Sequence, residues 1–453
     1  MVTRLLIDAC DVVVTMDDAG TEIPDGSVLV DDGVIAWVGS GAPPAEPDER
    51  LDGRGTVAIP GLVNTHHHLF QTLTRSWAQD RGLFDWLVTL YPVWGGLDAA
   101  WAHTAALVGL AELALSGCTT TTDHHYLFPR GRDGVLEATI AAAGELGIRF
   151  HPTRGSMDLG VARGGLPPDE VCQDTDEILA ATEAAVRGFH DPSPGAMLRI
   201  AVAPCSPFSV SERLMRESAE LARRLGVRLH THLAETLEEE TYCRERYGRR
   251  PTELMDEWGW LGDDVWLAHC VHLDEEDIRR IVRSGAGVAW CPSSNLRLGA
   301  GVAPARAVLD AGGTVGLGVD GSASNDAGNL AAEVRQALLV TRGVHGATSI
   351  SARAALRVAT RGGAACLGRD DVGSIEAGKR ADLALFPADG LATAGADADP
   401  VAALVLCRPE RVRHLLVEGR FVVRDGILET GDEAVIARDG HRAAEAIAAG
   451  LGR

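Results

Sequence analysis

Three consecutive histidines, His66, His67 and His68, close the run "PGLVNTHHH" that begins at Pro60. On a strand, side chains alternate with a period of two, so His66 and His68 share one face and His67 points to the other. Two imidazoles on one face make a natural pair of metal ligands, with His67 as a bystander. Later apolar runs end in groups of the same kind. "LHTHLAE" supplies His230, His232 and Glu235, "WLAHC" supplies His269, and "VGLGVDGSASND" supplies Asp320. Buried one at a time, each would need its own hydrogen-bond partner at a cost. A single metal ion accounts for all of them together.

Such a convergence requires strands whose ends meet. From Thr56 to about Gly363 the chain repeats an apolar run, a polar loop and an amphipathic helix, with helices such as Glu212 to Leu225 and Glu275 to Arg283. Strands are predicted at Val57 to Val63, Cys118 to Asp123, Ile148 to Arg154, Leu198 to Pro204, Val227 to His232, Val265 to His269, Gly287 to Cys291 and Thr314 to Asp320. Strands and helices in this alternation predict an α/β fold, a (β/α)8 TIM-type barrel whose chemistry sits at the C-terminal strand ends. Both chain ends read instead as short strands with tight turns, such as "SVLVDDGVIAWVGS" from Ser27 and "GSIEAGKRADLALF" from Gly373. The expected domains are a small discontinuous β-sandwich from residues 1–57 and 364–430, a catalytic barrel over 58–363, and a helical tail over 431–453.

Composition narrows the function. The sequence has 453 residues, 46% apolar and 23% charged, as expected of a folded chain. Its 64 acidic residues against 42 basic ones give a net charge of -22, which disfavours nucleic acid and anionic membranes and favours a small neutral or cationic substrate. Nine cysteines without CxxC spacing, no leader-like N-terminus and no long charge-free apolar run point to a reducing cytoplasm. Lys379 is the only lysine; every other basic residue is arginine. Any chemistry that needs a lysine must use Lys379 or do without.

In order and spacing, "PGLVNTHHH", "HTHLAE", "AHC", "GVDGSASND" and "GKRADLALF" resemble the amidohydrolase superfamily. Within it, "HHHLFQTLTRSWAQD", "TTDHHYLFP", "APCSPFSV" and "CPSSN" are similar to the 8-oxoguanine deaminases and the related triazine hydrolases. The resemblance implies one Zn2+, or Fe2+, held by His66, His68, His232 and Asp320, with an open position for water. His230 would lie one layer deeper, where packing is its expected role. Binuclear members bridge two metals with a carboxylated lysine from the fourth strand. Here that strand reads "LRIAVAPC", without lysine, so a mononuclear site is expected. The separate class of zinc deaminases built on H-x-E and P-C-x-x-C is excluded, because no P-C-x-x-C is present.

The implied mechanism divides acid and base work between two carboxylates. Asp320 would take a proton from water acidified by the metal, His269 would orient the nucleophile, and Glu235 would protonate a ring nitrogen. Amine departure fits the retention of both acids. For the substrate, Gln71 falls at the HxHxxQ spacing where an amide meets a purine edge. Cys205 and Arg154, after the fourth and third strands, complete the candidate substrate contacts. A structural thiol and a loop anchor remain open for them, as packing does for Trp77 and Trp86. His124 and His125 are not counted as ligands. The expected reaction is 8-oxoguanine plus water to urate and ammonia. The alternatives are a hydroxy-s-triazine N-alkylaminohydrolase and an isoguanine or pterin deaminase. A non-enzymatic scaffold is disfavoured because ligands and proton-handling residues are all present. A homo-oligomer, dimer or larger, is expected.

Overall fold

The computed structural model describes residues 4–407 and 411–450. The terminal residues 1–3 and 451–453 of the expected segments lie outside the described residues. Eight parallel strands close into a barrel: β1 Leu62–Asn64, β2 Cys118–His125, β3 Arg149–Ser156, β4 Ala201–Pro204, β5 Leu229–Leu233, β6 Val265–His269, β7 Gly287–Trp290 and β8 Thr314–Leu317. Each pairs with the next, and β8 returns to β1 through Leu317 and Asn64. Nearly every strand residue is buried, which a parallel sheet covered by helices demands and which explains the continuous apolar runs. The fold is the TIM-type barrel that the alternation of elements implied.

The expected first strand is broken in two. Thr56–Pro60 pairs with Leu383–Pro387 in the other sheet, and only Leu62–Asn64 enters the barrel. Pro60 has no N–H with which to extend a ladder. Gly61 then passes so close to β2 that an added Cβ would fall 2.1 Å from Thr119 Oγ1. The switch between sheets therefore occurs at the one dipeptide that permits it.

Strands from both chain ends form one nine-stranded sheet. It runs from Ile427–Leu428 through Arg420–Arg424, His414–Val417, Leu383–Pro387, Thr56–Pro60, Arg4–Val14 and Glu22–Asp31 to Val34–Ser40, with Glu49–Asp52 paired to Arg4–Val14. Period-two alternation divides its side chains. Ala58, Leu383 and Leu385 pack with Leu5, Ile7, Val28 and Ile35 in the sheet's own core. Val57, Ile59, Ala384 and Phe386 turn the other way into the core shared with the barrel.

One helix lines the site and another closes the chain against the barrel. Leu83–Trp94 buries Trp86, Leu87, Leu90, Tyr91 and Trp94, a helical stripe that faces the barrel mouth. Trp86 Nε1 donates to the Ala323 carbonyl at 3.0 Å and ties this helix to the loop after β8. The C-terminal helix Glu433–Gly450 lies on Ala99–Leu115, where an added Cβ at Gly440 would come within 2.8 Å of Val108. Among the described residues no helix is long and apolar enough to cross a membrane. All nine cysteines are free.

Candidate metal centre and active site

His66 and His68 leave the end of β1, His232 lies in β5, His269 ends β6, and Asp320 follows β8. All five are buried, and they converge at the C-terminal mouth of the barrel. Asp320 Oδ1 lies 3.4 Å from His66 Nε2 and 3.3 Å from His68 Nε2, while His68 Nε2 and His232 Nε2 stand 3.1 Å apart. His66 Nε2 is buried without a protein hydrogen-bond partner. Such an orphan costs free energy unless something else fills its lone pair.

The donor set fits a divalent transition ion. Burial, assisted by neighbouring imidazoles, pushes His66 and His232 well below the ordinary histidine value and lowers His68, which favours the neutral rings that a metal ion would need. The opposite ring atoms are held in place. His68 Nδ1 donates to the His124 carbonyl at 2.7 Å, and His232 Nδ1 donates to the Cys205 carbonyl at 2.6 Å. These bonds leave both Nε2 lone pairs facing inward. His124 stacks on His232 with ring centroids 4.6 Å apart, and its ligand-capable nitrogens lie close to those of His66, His68 and His232. Its Nε2 faces the Ala203 carbonyl at 3.1 Å.

His67 points away. Its Nδ1 accepts from the His68 backbone N–H at 2.8 Å, and its ring lies toward Gly109 in the helix Ala99–Leu115. The histidine run lies just past β1, yet His67 still faces away from His66 and His68.

The two carboxylates occupy contrasting settings. Asp320 Oδ2 accepts from the Ser294 hydroxyl at 2.5 Å and the Ser324 hydroxyl at 3.0 Å, and Oδ1 accepts from the Gly321 N–H at 2.7 Å. Burial alone would raise this carboxyl, but His66, followed by His269 and His68, holds it well below the usual range. Glu235 is pushed well above its ordinary value by burial and then by Asp320 and Glu239. Its backbone is fixed from below, because Glu239 accepts from the N–H groups of Ala234 at 2.8 Å and Glu235 at 3.0 Å. The two carboxyls are thereby pushed in opposite directions, the pattern expected of a base and an acid.

His269 stands between them, with Nε2 3.6 Å from Glu235 Oε2 and 3.9 Å from Asp320 Oδ2. Asn295 Nδ2 lies 3.0 Å from His269 Nδ1 and steadies the ring. His269 and Asp320 both adopt left-handed backbone, at φ 71° and 65°. Non-glycine residues are rarely found there, and such strain concentrates at functional sites.

A narrow cavity of about 30 Å³ opens beside the cluster. Trp86, Tyr91, Tyr126 and Phe208 give it flat apolar walls, and Gln71, Cys205, Glu235, His269 and Asp320 reach it. Gln71 rests against Gly321, where an added Cβ would meet its Oε1 at 1.9 Å, so glycine there makes room for the amide. Trp77 lies outside this lining and packs against the apolar cluster around the helix Leu83–Trp94.

Arg154, expected as a substrate contact, lies outside this lining. In β3 His151 turns into the barrel toward Trp266, so alternation turns Arg154 outward. Its guanidinium covers the Phe128 ring at 3.5 Å, donates to Gln173 Oε1 at 2.8 Å, and lines a separate groove. The sequence reading also missed Tyr126, Ser294, Asn295 and Ser324. Each follows a barrel strand closely, and that position was the available signal.

A model of the amidohydrolase family matches residues 57–422. The 8-oxoguanine deaminase of Pseudomonas aeruginosa is 48% identical over 94% of this chain and 95% of its own length. The hydroxydechloroatrazine ethylaminohydrolase of Pseudomonas sp. strain ADP is 38% identical over 94% of this chain and 92% of its own. The crystal structure of atrazine chlorohydrolase TrzN from Arthrobacter aurescens TC1, complexed with zinc, superposes with a TM-score of 0.93 at 35% identity, covering 97% of this chain and 100% of that one.

Proposed function

This chain belongs to the amidohydrolase family, and from that premise we propose that it is a metal-dependent deaminase that converts 8-oxoguanine and water to urate and ammonia. It is a hydrolase acting on carbon–nitrogen bonds in cyclic amidines. The observation that carries the substrate assignment is the full-length relationship to an 8-oxoguanine deaminase, closer than that to the triazine enzyme.

In this reading His66, His68, His232 and Asp320 would hold one divalent ion, zinc, with no lysine available to bridge a second. The ion supplies Lewis acidity and lowers the pKa of water toward neutrality. The remaining work belongs to side chains. Asp320 accepts the proton of the attacking water. Glu235, whose burial favours the protonated form, donates to the ring nitrogen next to the amino-bearing carbon. His269 sits between the two carboxyls and steadies charge as that carbon becomes tetrahedral. Asp320 then passes its proton to the exocyclic nitrogen, which leaves as ammonia while the hydroxyl on the same carbon becomes the carbonyl and returns its proton to Glu235. Gln71 offers an amide to the lactam edge, with Cys205 beside it, and the aromatic walls take the planar ring. We place the reaction in the cytoplasm, a setting that nine free thiols support.

Ammonia release from 8-oxoguanine, guanine, isoguanine, isoxanthopterin and N-alkylated hydroxytriazines tests the assignment. We expect 8-oxoguanine to be among the fastest. Turnover of a hydroxytriazine or pterin with 8-oxoguanine inert would overturn the substrate and leave the reaction class standing.

A further inference from the structure

We propose that His230 is a positioning residue that decides which nitrogen of His66 is free to bind metal. The inference rests on the reading of His66 as a ligand.

His230 lies in β5, two residues before His232, fully buried. Its Nδ1 is 2.8 Å from the Trp266 carbonyl oxygen. A carbonyl can only accept, so Nδ1 carries the proton, and in the neutral ring Nε2 is bare. That bare Nε2 is 2.8 Å from His66 Nδ1. It can only accept in turn, so His66 carries its proton on Nδ1. The remaining nitrogen, His66 Nε2, is left as a lone pair. It is also the buried atom without a partner that faces Asp320.

The direction of this relay is fixed at its far end by a backbone carbonyl, which cannot change roles. Reversing either ring would set a lone pair against a carbonyl oxygen or an N–H into the centre. His68 and His232 need no such relay, since each donates to a carbonyl directly. Trp266 supports the arrangement twice more. Its indole stacks on the His230 ring at 4.4 Å and 13°, and its Nε1 donates to the carbonyl of Thr65, the neighbour of His66, at 3.0 Å. A histidine present for packing alone would not require two 2.8 Å bonds in series. The partners of ligating histidines typically change metal affinity about 10- to 100-fold when removed.

The test is zinc affinity of the metal-depleted full chain, measured by competition with a chromophoric chelator, with circular dichroism as the control for folding. His230→Phe keeps a flat ring and removes the acceptor, so we expect zinc to bind about 10- to 100-fold more weakly. His230→Gln places its amide oxygen near the lost Nε2 and should recover part of that loss, whereas His230→Asn, one methylene shorter, should not. The Gln and Asn pair retains the test should the Phe variant fail to fold. Wild-type affinity in folded His230→Phe, or equal loss in the Gln and Asn variants, overturns the proposal. Wild-type chain that binds no zinc would instead overturn the ligand reading itself, a distinct result.

Discussion

At the N-terminal mouth of the barrel, Arg149 uses all five of its N–H donors. It bonds Asp382 through Nε at 2.9 Å and Nη2 at 2.9 Å, the carbonyls of Gly195 at 2.7 Å and Ala196 at 3.0 Å through Nη1, and Glu418 at 2.6 Å through Nη2. At the C-terminal mouth, His66 and Asp320 are as deeply buried, yet His66 Nε2 and the Gln71 and Asn295 side-chain oxygens have no protein partner. The backbone differs as well, with His269 and Asp320 in left-handed conformation. The first cluster locks β3 to the strand Leu383–Pro387; the second keeps bonding capacity in reserve. In a barrel of this kind stability and chemistry are built at opposite ends. Unpaired atoms alone do not mark the site, because both nitrogens of His151 in mid-barrel also lack protein partners. Convergence marks it, since among the described residues several bare nitrogens and two oppositely tuned carboxyls meet only at the C-terminal mouth.

The sharpest way to break this comparison is to remove function without touching stability. Glu235→Gln keeps shape and burial but has no carboxylic proton to donate. We expect kcat to fall by about 10²- to 10⁴-fold, with zinc content and melting temperature close to wild type. Steady-state ammonia release, metal analysis and calorimetry read these three together. An unchanged kcat would remove Glu235 from the proton path.

The opposite end predicts the reverse. Arg149→Met leaves Asp382 buried without its partner, and breaking such a pair costs about 3–5 kcal/mol. Calorimetry should show a lower melting temperature, while kcat measured well below that temperature stays near wild type. A variant that lost turnover at full stability would mean that the two ends are not separate.

The contrast was only partly legible in the sequence. Strand alternation sorts His67 from His66 and His68, and runs ending in His232, His269 and Asp320 announce a barrel with a polar mouth. Both arguments use only local periodicity. The break at Pro60 and Gly61 was hidden inside one apolar run, because what ends the strand is the crowding of Thr119 from β2. Arg154 was misplaced for a related reason. Lying at a strand end does not reveal which way a side chain turns, and here His151 takes the inward direction. The relay from Trp266 through His230 joins β6, β5 and the end of β1, so no local pattern could display it. The Arg149 network likewise spans the barrel and the sheet.

The smallest expected effect sharpens the electrostatic side of the comparison. Asp371, near the Arg149 cluster, accepts from Arg369 Nε and Nη2 at 2.7 Å each and from the Gly195 N–H at 2.8 Å. Burial alone would raise its carboxyl, but the hydrogen bonds and charge of Arg369, with Gly195 and Arg149, outweigh this and hold it well below the ordinary value. A carboxyl depressed on folding adds stability above the unfolded value of about 3.9. That contribution fades as the pH falls through the folded value, because the unfolded chain then binds the proton first. Asp371→Asn has no such group to titrate. It should melt a few degrees below wild type at pH 7, with the gap narrowing as the pH is lowered from about 4. Turnover at pH 7 should not change, since Asp371 lies at the far end from the cavity. Melting curves from pH 7 to pH 3 decide the matter, because a gap that stays constant would assign the role of Asp371 to shape rather than charge.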